Sequence, residues 1–286
     1  MKHVRSAVVL ALGAAVLATT AHAKSPRQCD RPCLIATMDR FLLAAMGHGS
    51  LGSMLARGLN ARENTLPVSP ASGVWRTLAR RRAGWTFADP STGEVAFAGV
   101  FERREGGLLP LFVRIKVSRG KATEQEAAFN AGPGPFVHPE GLLEPDILYD
   151  AIVPPGRRSD RATLIRVAGL YLDGVTARSG AAVPLSDRCD KYYLGGKVTN
   201  TGAGGIGDCR TSFNGITADA PVGRRFPIVD VARGIVVISF LMPMSARSPR
   251  EVIYECEILK VVDGKIRSVE EFGNTTSWPP RSGFEP

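Results

Sequence analysis

Trp75 and Trp85 bracket the most basic stretch of the chain, RTLARRR, Arg76 to Arg82. Indole rings beside guanidinium forks are the residue types that hold a flat ring bearing a carboxylate. The tryptophans, with Phe87, would floor a pocket, and Arg76 would grip the anion. The competing reading makes the tryptophans core and the arginines surface. Other catalytic patterns are absent. Only His48, in the turn MGHGSLG, and His138 follow residue 23, which argues against a serine triad. Ligand spacing for zinc is missing, so no metal is expected, and no cofactor either. The segment GAGGIG, Gly202 to Gly207, superficially matches a dinucleotide fingerprint. It sits between two cysteines rather than between a strand and a helix, and reads as a loop.

The chain has 286 residues, 44% hydrophobic and 22% charged, the profile of a protein with a sizeable core. Residues 1–23 give a basic start (Lys2, Arg5), an apolar run from Ala7 to Ala18 and a small-x-small ending at Ala21 and Ala23. This pattern predicts a signal peptide cleaved after Ala23, hence an exported protein, periplasmic or secreted. The run is too short to cross a bilayer comfortably, and no membrane span is expected after cleavage. Beyond residue 23 there are 34 basic and 27 acidic residues, a net charge of +7. In an exported protein this favours an acidic ligand or an anionic surface over nucleic acid. The five cysteines fit an oxidising compartment. Cys256 alternates with Tyr254 and Ile258 on an apolar face and reads as a buried thiol. A disulfide between Cys189 and Cys209 would close the Gly-rich excursion between them. Cys29 and Cys33 then remain, and four cysteines permit three pairings.

The elements that would position these residues are written twice. KVSRGKATEQEAAF (Lys116 to Phe129) is matched by KVVDGKIRSVEEF (Lys260 to Phe272), with Gly120 on Gly264 and Glu126 on Glu270. Upstream, Asp89 and Gly93 align with Asp230 and Gly234. Further back, Leu34, Ile35, Met38, Phe41, Leu42 and Ala45 share helical spacing with Leu164, Ile165, Ala168, Tyr171, Leu172 and Val175. Two copies of one domain are predicted, 28–130 and 161–273. A Pro/Gly-rich strap at 131–160 joins them, and a tail at 274–286 follows, whose Trp278 is expected to tuck onto the body. Each copy reads as a helix, a mixed segment and closing strands. In LFVRIKV, Leu111, Val113, Ile115 and Val117 form the buried face. Arg119-Gly120 and Asp263-Gly264 make the tight turns into the last strands.

The order RFLLAAMGHGSLGSML, LNAREN, TGEVAFAGVFE and FVRIKVSRGKATEQEA resembles the SnoaL-like and ketosteroid-isomerase-like members of the nuclear transport factor 2 superfamily. The resemblance implies an α+β fold, two tandem cones whose N-terminal helices pack on a curved antiparallel sheet, together forming a pseudo-dimer. It also implies that chemistry falls on a first-helix tyrosine and a carboxylate after the next helix. Those positions fall on Phe41 and on Thr65, two residues past Glu63, in the first copy, and on Tyr171 and LGG (Leu194 to Gly196) in the second. Neither copy repeats the pair. Glu63 is then the candidate base, with Arg62, Asn64 and His48 to orient it or bind an anion. The alternative makes Glu63 and Asn64 loop caps. In the second copy Tyr171, Asp173, Asp187, Tyr192 and Tyr193 lie near the expected pocket mouth. The expected function is binding of an anionic or aromatic small molecule, with cofactor-free lyase, isomerase or hydrolase chemistry on a carboxylated compound. The alternative is a noncatalytic envelope scaffold. The chain would be a monomeric pseudo-dimer or a homo-oligomer.

Overall fold

The structure, a computed structural model, describes residues 29–134, 137–202, 206–246, 248, 250–277 and 281–284. The predicted signal peptide, Phe136 of the strap, half of GAGGIG (Ala203 to Gly205) and Trp278 lie outside the described residues.

Helix α1 (Arg31–Ala45) is followed by strands β1 (Leu55–Glu63), β2 (Leu66–Pro67), β3 (Leu78–Asp89), β4 (Glu94–Arg103), β5 (Leu108–Ser118) and β6 (Lys121–Phe129). A short helix α2 (Ile147–Asp150) lies in the strap. Helix α3 (Arg161–Ala177) opens the second half, with β7 (Leu185–Tyr193), β8 (Gly196–Lys197), β9 (Val222–Asp230), β10 (Ile235–Pro243), β11 (Glu251–Val262) and β12 (Lys265–Ser277). Asp30 and Asp160 cap the two helices, each accepting from the backbone N–H three residues on. Arg119 and Gly120, like Asp263 and Gly264, all have positive φ, the geometry a two-residue hairpin turn requires.

The strands form two six-stranded sheets of the same order, β2-β1-β6-β5-β4-β3 and β8-β7-β12-β11-β10-β9. Their registers coincide as well: Val113 faces Ala127 where Glu257 faces Glu271, and Glu63 pairs with Ala127 where Tyr193 pairs with Glu271. Each sheet is mixed, because β1 runs parallel to β6 and β7 parallel to β12.

This corrects the expected fold. The molecule is mostly strand and is not a pair of α+β cones with helices packed on antiparallel sheets. LNAREN, expected just past a second short helix, belongs to β1. Three glycines, Gly47, Gly49 and Gly52, end the helical run, and β6 offers LARGLNARE a ladder to join. Pairing to a neighbour, invisible to local periodicity, overrides the local pattern.

Strand alternation gives each sheet two buried faces. On β5, Leu109, Leu111, Val113, Ile115 and Val117 pack under α1, while Phe112 points at the second sheet. The inner faces meet through Trp85, Phe87, Ala98 and Phe112 against Val237, Tyr254, Ile258 and Phe272. The strap seals this seam: Tyr149 stacks on Trp85 at 4.8 Å and donates to Ser268 Oγ at 2.9 Å.

Contacts between the halves are exchanged in kind. Arg31, first residue of α1, reaches Asp230 of the second half at 2.5 Å, and Arg161, first residue of α3, reaches Asp89 of the first at 2.7 Å. Such reciprocity is the mark of an isologous interface, here within one chain.

One polar network crosses the seam. The Arg114 side chain is 0% exposed and meets Glu94, Glu124 and Glu126 at 2.7, 2.8 and 2.5 Å. Glu126 also accepts from Arg225 and from the Tyr254 hydroxyl, both of the second half. Burial raises the Glu126 carboxyl, but Arg114 and Arg225 overcome it and hold it down at about 2. Phe284 lies over both guanidiniums, 4.7 Å from Arg114 and 5.2 Å from Arg225.

Candidate functional site

In the second half, alternation along EVIYECEILKV sends Tyr254, Cys256 and Ile258 to the seam and Glu255, Glu257 and Leu259 toward α3. Burial pushes the Cys256 thiol up to about 12, so it is an inert core residue. The opposite face is more unusual for a sheet interior. Glu257 sits directly across from Glu271, and Glu255 across from Gly273. A side chain at Gly273 would collide with the Glu255 carboxylate, since a Cβ there would lie 2.0 Å from Oε2. The glycine is what lets this carboxylate lie down on the neighbouring strand.

Lys191 of β7 completes the group, its Nζ 2.7 Å from Glu271 Oε1. The same ammonium lies 5.5 Å above the Tyr171 ring and 5.6 Å from that of Phe213. Tyr171 hydrogen-bonds Glu257 from α3. Burial, then the charge of Glu271, lifts the Glu257 carboxyl to about 8. Burial, then Glu271 and Glu257, lifts Glu255 well above the carboxylate range. Burial works against the Lys191 charge, but Glu271 and Glu257 prevail and raise it. Lys191 and Glu271 form the ion pair of the group, and burial favours the protonated forms of Glu255 and Glu257.

A cavity of about 440 Å³ opens on this group. Lys191, Tyr193, Glu255, Glu271 and Asn274 supply its polar wall, and Ile216, Met242, Met244 and Ile253 its apolar one. Glu255 is 6% exposed, and its Oε2 and that of Glu257 have no hydrogen-bond partner among the described residues. Two grooves in the first half are larger, about 490 and 650 Å³, but they are open surface features lined by α1 residues such as Arg40 and by exposed turn residues such as His48, Ser50 and Arg119. Among the described residues, no cluster of three His, Cys, Asp or Glu side chains has the geometry to hold a metal.

The equivalent positions of the first half are apolar. The shared registers place Leu111, Val113 and Ala127 where the second half has Glu255, Glu257 and Glu271, with Ala61 for Lys191 and Phe41 for Tyr171. All five are buried. Trp75 fills the space over them, edge-on to Phe41 at 5.9 Å, much as Phe213 meets Tyr171 at 5.3 Å.

Of the residues singled out from the sequence, the structure brings Tyr193 to the cavity wall and buries Tyr171 behind it, bonded to Glu257. The Tyr193 hydroxyl donates to Gly273 O at 3.2 Å. Tyr192 points toward the strap side near Asp190, Asp146 and Glu270, and burial raises its phenol to about 12. Asp173 pairs with Arg224 at 2.6 Å on the exposed side of α3. Asp187 is exposed on β7. Trp85 donates to Asp146 O at 3.0 Å and anchors the strap, so it does not floor a pocket with Trp75. Arg76 is exposed, and its carbonyl accepts from Arg104. His48 is exposed, with Nε2 3.4 Å from Ala79 O. Disulfides join Cys29 to Cys33 and Cys189 to Cys209, the second clamping the loop beside the cavity.

Arg62, Glu63 and Asn64 serve the sheet edge. Asn64 extends the ladder, exchanging hydrogen bonds of 3.0 Å with the Phe129 backbone, and Arg62 Nη1 donates to Thr65 O at 2.9 Å. Both Glu63 oxygens accept from Val74 N, at 3.0 and 3.2 Å, at the start of the Gly73–Thr77 turn. Gly73, at φ +60°, leaves the room, since a Cβ would fall 2.1 Å from Oε2. Burial raises the Glu63 carboxyl, opposed by the Val74 hydrogen bond. This is a capping arrangement. Glu63→Gln is expected to cost about 1 kcal/mol or less by denaturant melt, the scale of a lost cap, and to leave ligand binding in the second half unchanged.

The fold and the cavity define a two-sheet, strand-rich protein with one polar site, held in its second half. That half is also where a family model matches: residues 157–273 are similar to a domain of unknown function, DUF8021. A solved structure from Kribbella flavida, described as a known-function protein, is similar at 16% identity, covering 33% of this chain and 84% of its own, with a TM-score of 0.29. No curated protein matches. Among the described residues no helix is long and apolar enough to cross a membrane.

Proposed function

We propose that this is an exported small-molecule-binding protein whose ligand site is the second-half cavity, with general acid–base catalysis as the chemistry available there. The observation that carries the reading is the set of buried carboxyls around an open cavity, at positions the duplicate half fills with apolar side chains. Burying such groups costs stability unless they are fully paired, and two of them are left with unmatched oxygens. The two disulfides fit export.

The acid and base roles separate by environment. Glu271, beside the Lys191 ammonium, is the group to accept a proton, and Glu255, which shares the cavity wall and whose protonated form burial favours, the group to give one. Proton transfer within one cavity suits elimination, isomerisation or hydrolysis without a cofactor. The first half, its equivalent space filled by Trp75, serves as a scaffold for the second.

A thermal-shift screen against aromatic acids, sugar acids, amines and neutral lipophiles tests the reading, because a ligand of the native state raises Tm. At least one class is expected to do so, and Ile253→Trp, which fills the cavity, is expected to abolish the shift. A shift that persists in Ile253→Trp would move the binding site elsewhere. Compounds that bind are then assayed for turnover in wild type and Glu271→Gln.

A further inference from the structure

Resting on the reading of the second-half cavity as a ligand site, we propose that its ligand carries a protonated amine on an apolar body, the amine seated against Glu255. Three carboxyl groups converge there against one ammonium, and that ammonium is taken up by Glu271. Glu255 lines the cavity, is 6% exposed and keeps an oxygen without a partner. That oxygen has no hydrogen-bond partner among the described residues, and an ammonium would supply a donor together with the charge that favours the ionised carboxyl. The opposite wall, Ile216, Met242, Met244 and Ile253, fits a hydrocarbon or aromatic body. The guanidiniums expected to hold an anion, those of Arg62 and Arg76, lie in the first half and do not line this cavity.

Seating the amine has a proton signature. The titratable groups facing Glu255 are Lys191 and Tyr193 from β7, Glu257 on its own strand, Glu271 from β12 and Tyr171 from α3. Burial and the two neighbouring glutamates raise the Glu255 carboxyl and favour its protonated form in the empty site. An incoming ammonium favours the carboxylate, so Glu255 gives its proton to the solvent and the complex keeps an ion pair. Up to one proton is expected to be released per ligand bound, and the release fades as the pH rises far enough to ionise Glu255 in the empty site.

Three probes of matched shape decide the matter: phenethylamine, 2-phenylethanol and 3-phenylpropionate, titrated calorimetrically into the mature protein in buffers of differing ionisation enthalpy. Phenethylamine is expected to bind at least about tenfold more tightly than either analogue, a difference of about 1.4 kcal/mol, with proton release. Glu255→Gln is expected to abolish the release and weaken the amine by a similar factor, and a retained thermal melt shows that the variant folds. Tighter binding of the alcohol or the acid, or amine binding with no proton release, overturns the amine assignment while leaving a ligand site. No binding of any probe at millimolar concentration, with no perturbation of cavity signals by NMR, overturns both the assignment and the ligand site.

Discussion

Replacing Arg114 with leucine is expected to lower the stability of the folded chain by about 3–5 kcal/mol, read from the denaturant midpoint at neutral pH. The expectation follows from what the substitution leaves behind. Glu94, Glu124 and Glu126 converge on this one guanidinium, and Glu126 would keep only Arg225 as a cationic partner. An uncompensated buried carboxylate is costlier than a lost contact. The double variant Arg114→Leu with Glu126→Gln should therefore recover part of the loss, since the buried charge goes with its partner. Equal losses in the single and double variants would mean that the network is held by packing, and that its charges contribute little.

The opposite sign is expected in the second half. Changing Glu255 to leucine and Glu257 to valine gives the cavity the identities that Leu111 and Val113 have in the first half. It removes two carboxyls whose burial is only partly compensated, and leaves the Lys191–Glu271 pair intact. Stability is expected to rise by about 1–4 kcal/mol while every ligand shift in Tm disappears. A fall in stability would show that the glutamates hold the β11–β12 face in place rather than strain it.

The repeat was legible in the sequence because matching turns, Arg119-Gly120 and Asp263-Gly264, punctuate it. The single amphipathic helix of each half was legible too, from Leu34, Met38 and Phe41 and their counterparts. The sheet was not. β1 and β7 join the far edge by parallel pairing with β6 and β12, and no periodicity within LNAREN reports a partner some 60 residues away. That is why an architecture of helices on antiparallel cones was expected and a pair of mixed sheets is found.

The site shows the same division. Tyr171 and Tyr193 stand out as aromatic hydroxyls, but Glu255, Glu257, Glu271 and Lys191 were missed. In EVIYECEILKV the alternation put Cys256 on the apolar face, so its glutamate neighbours were left for the other side. That other side is also buried, because α3 covers it. A signal was present in the repeat itself: the alignment that puts Lys116 on Lys260 also sets Glu255 against Leu111 and Glu257 against Val113. Carboxylates replacing the buried residues of a duplicate are a sharper pointer to chemistry than the basic run between Trp75 and Trp85. Those arginines pair at the surface with Asp39 and Glu102.

The seam network also orders events as the chain is made. Glu126 depends on Arg225 and Tyr254, 99 and 128 residues further along. A nascent chain that has just completed β6 carries a finished first sheet whose inner face is bare, with Arg114 as the only one of Glu126's native cationic partners yet synthesised. Closure waits for nearly the whole chain, so the first half is committed early and locked last. Any factor that holds the growing chain must therefore shield one apolar sheet face until the second sheet is made.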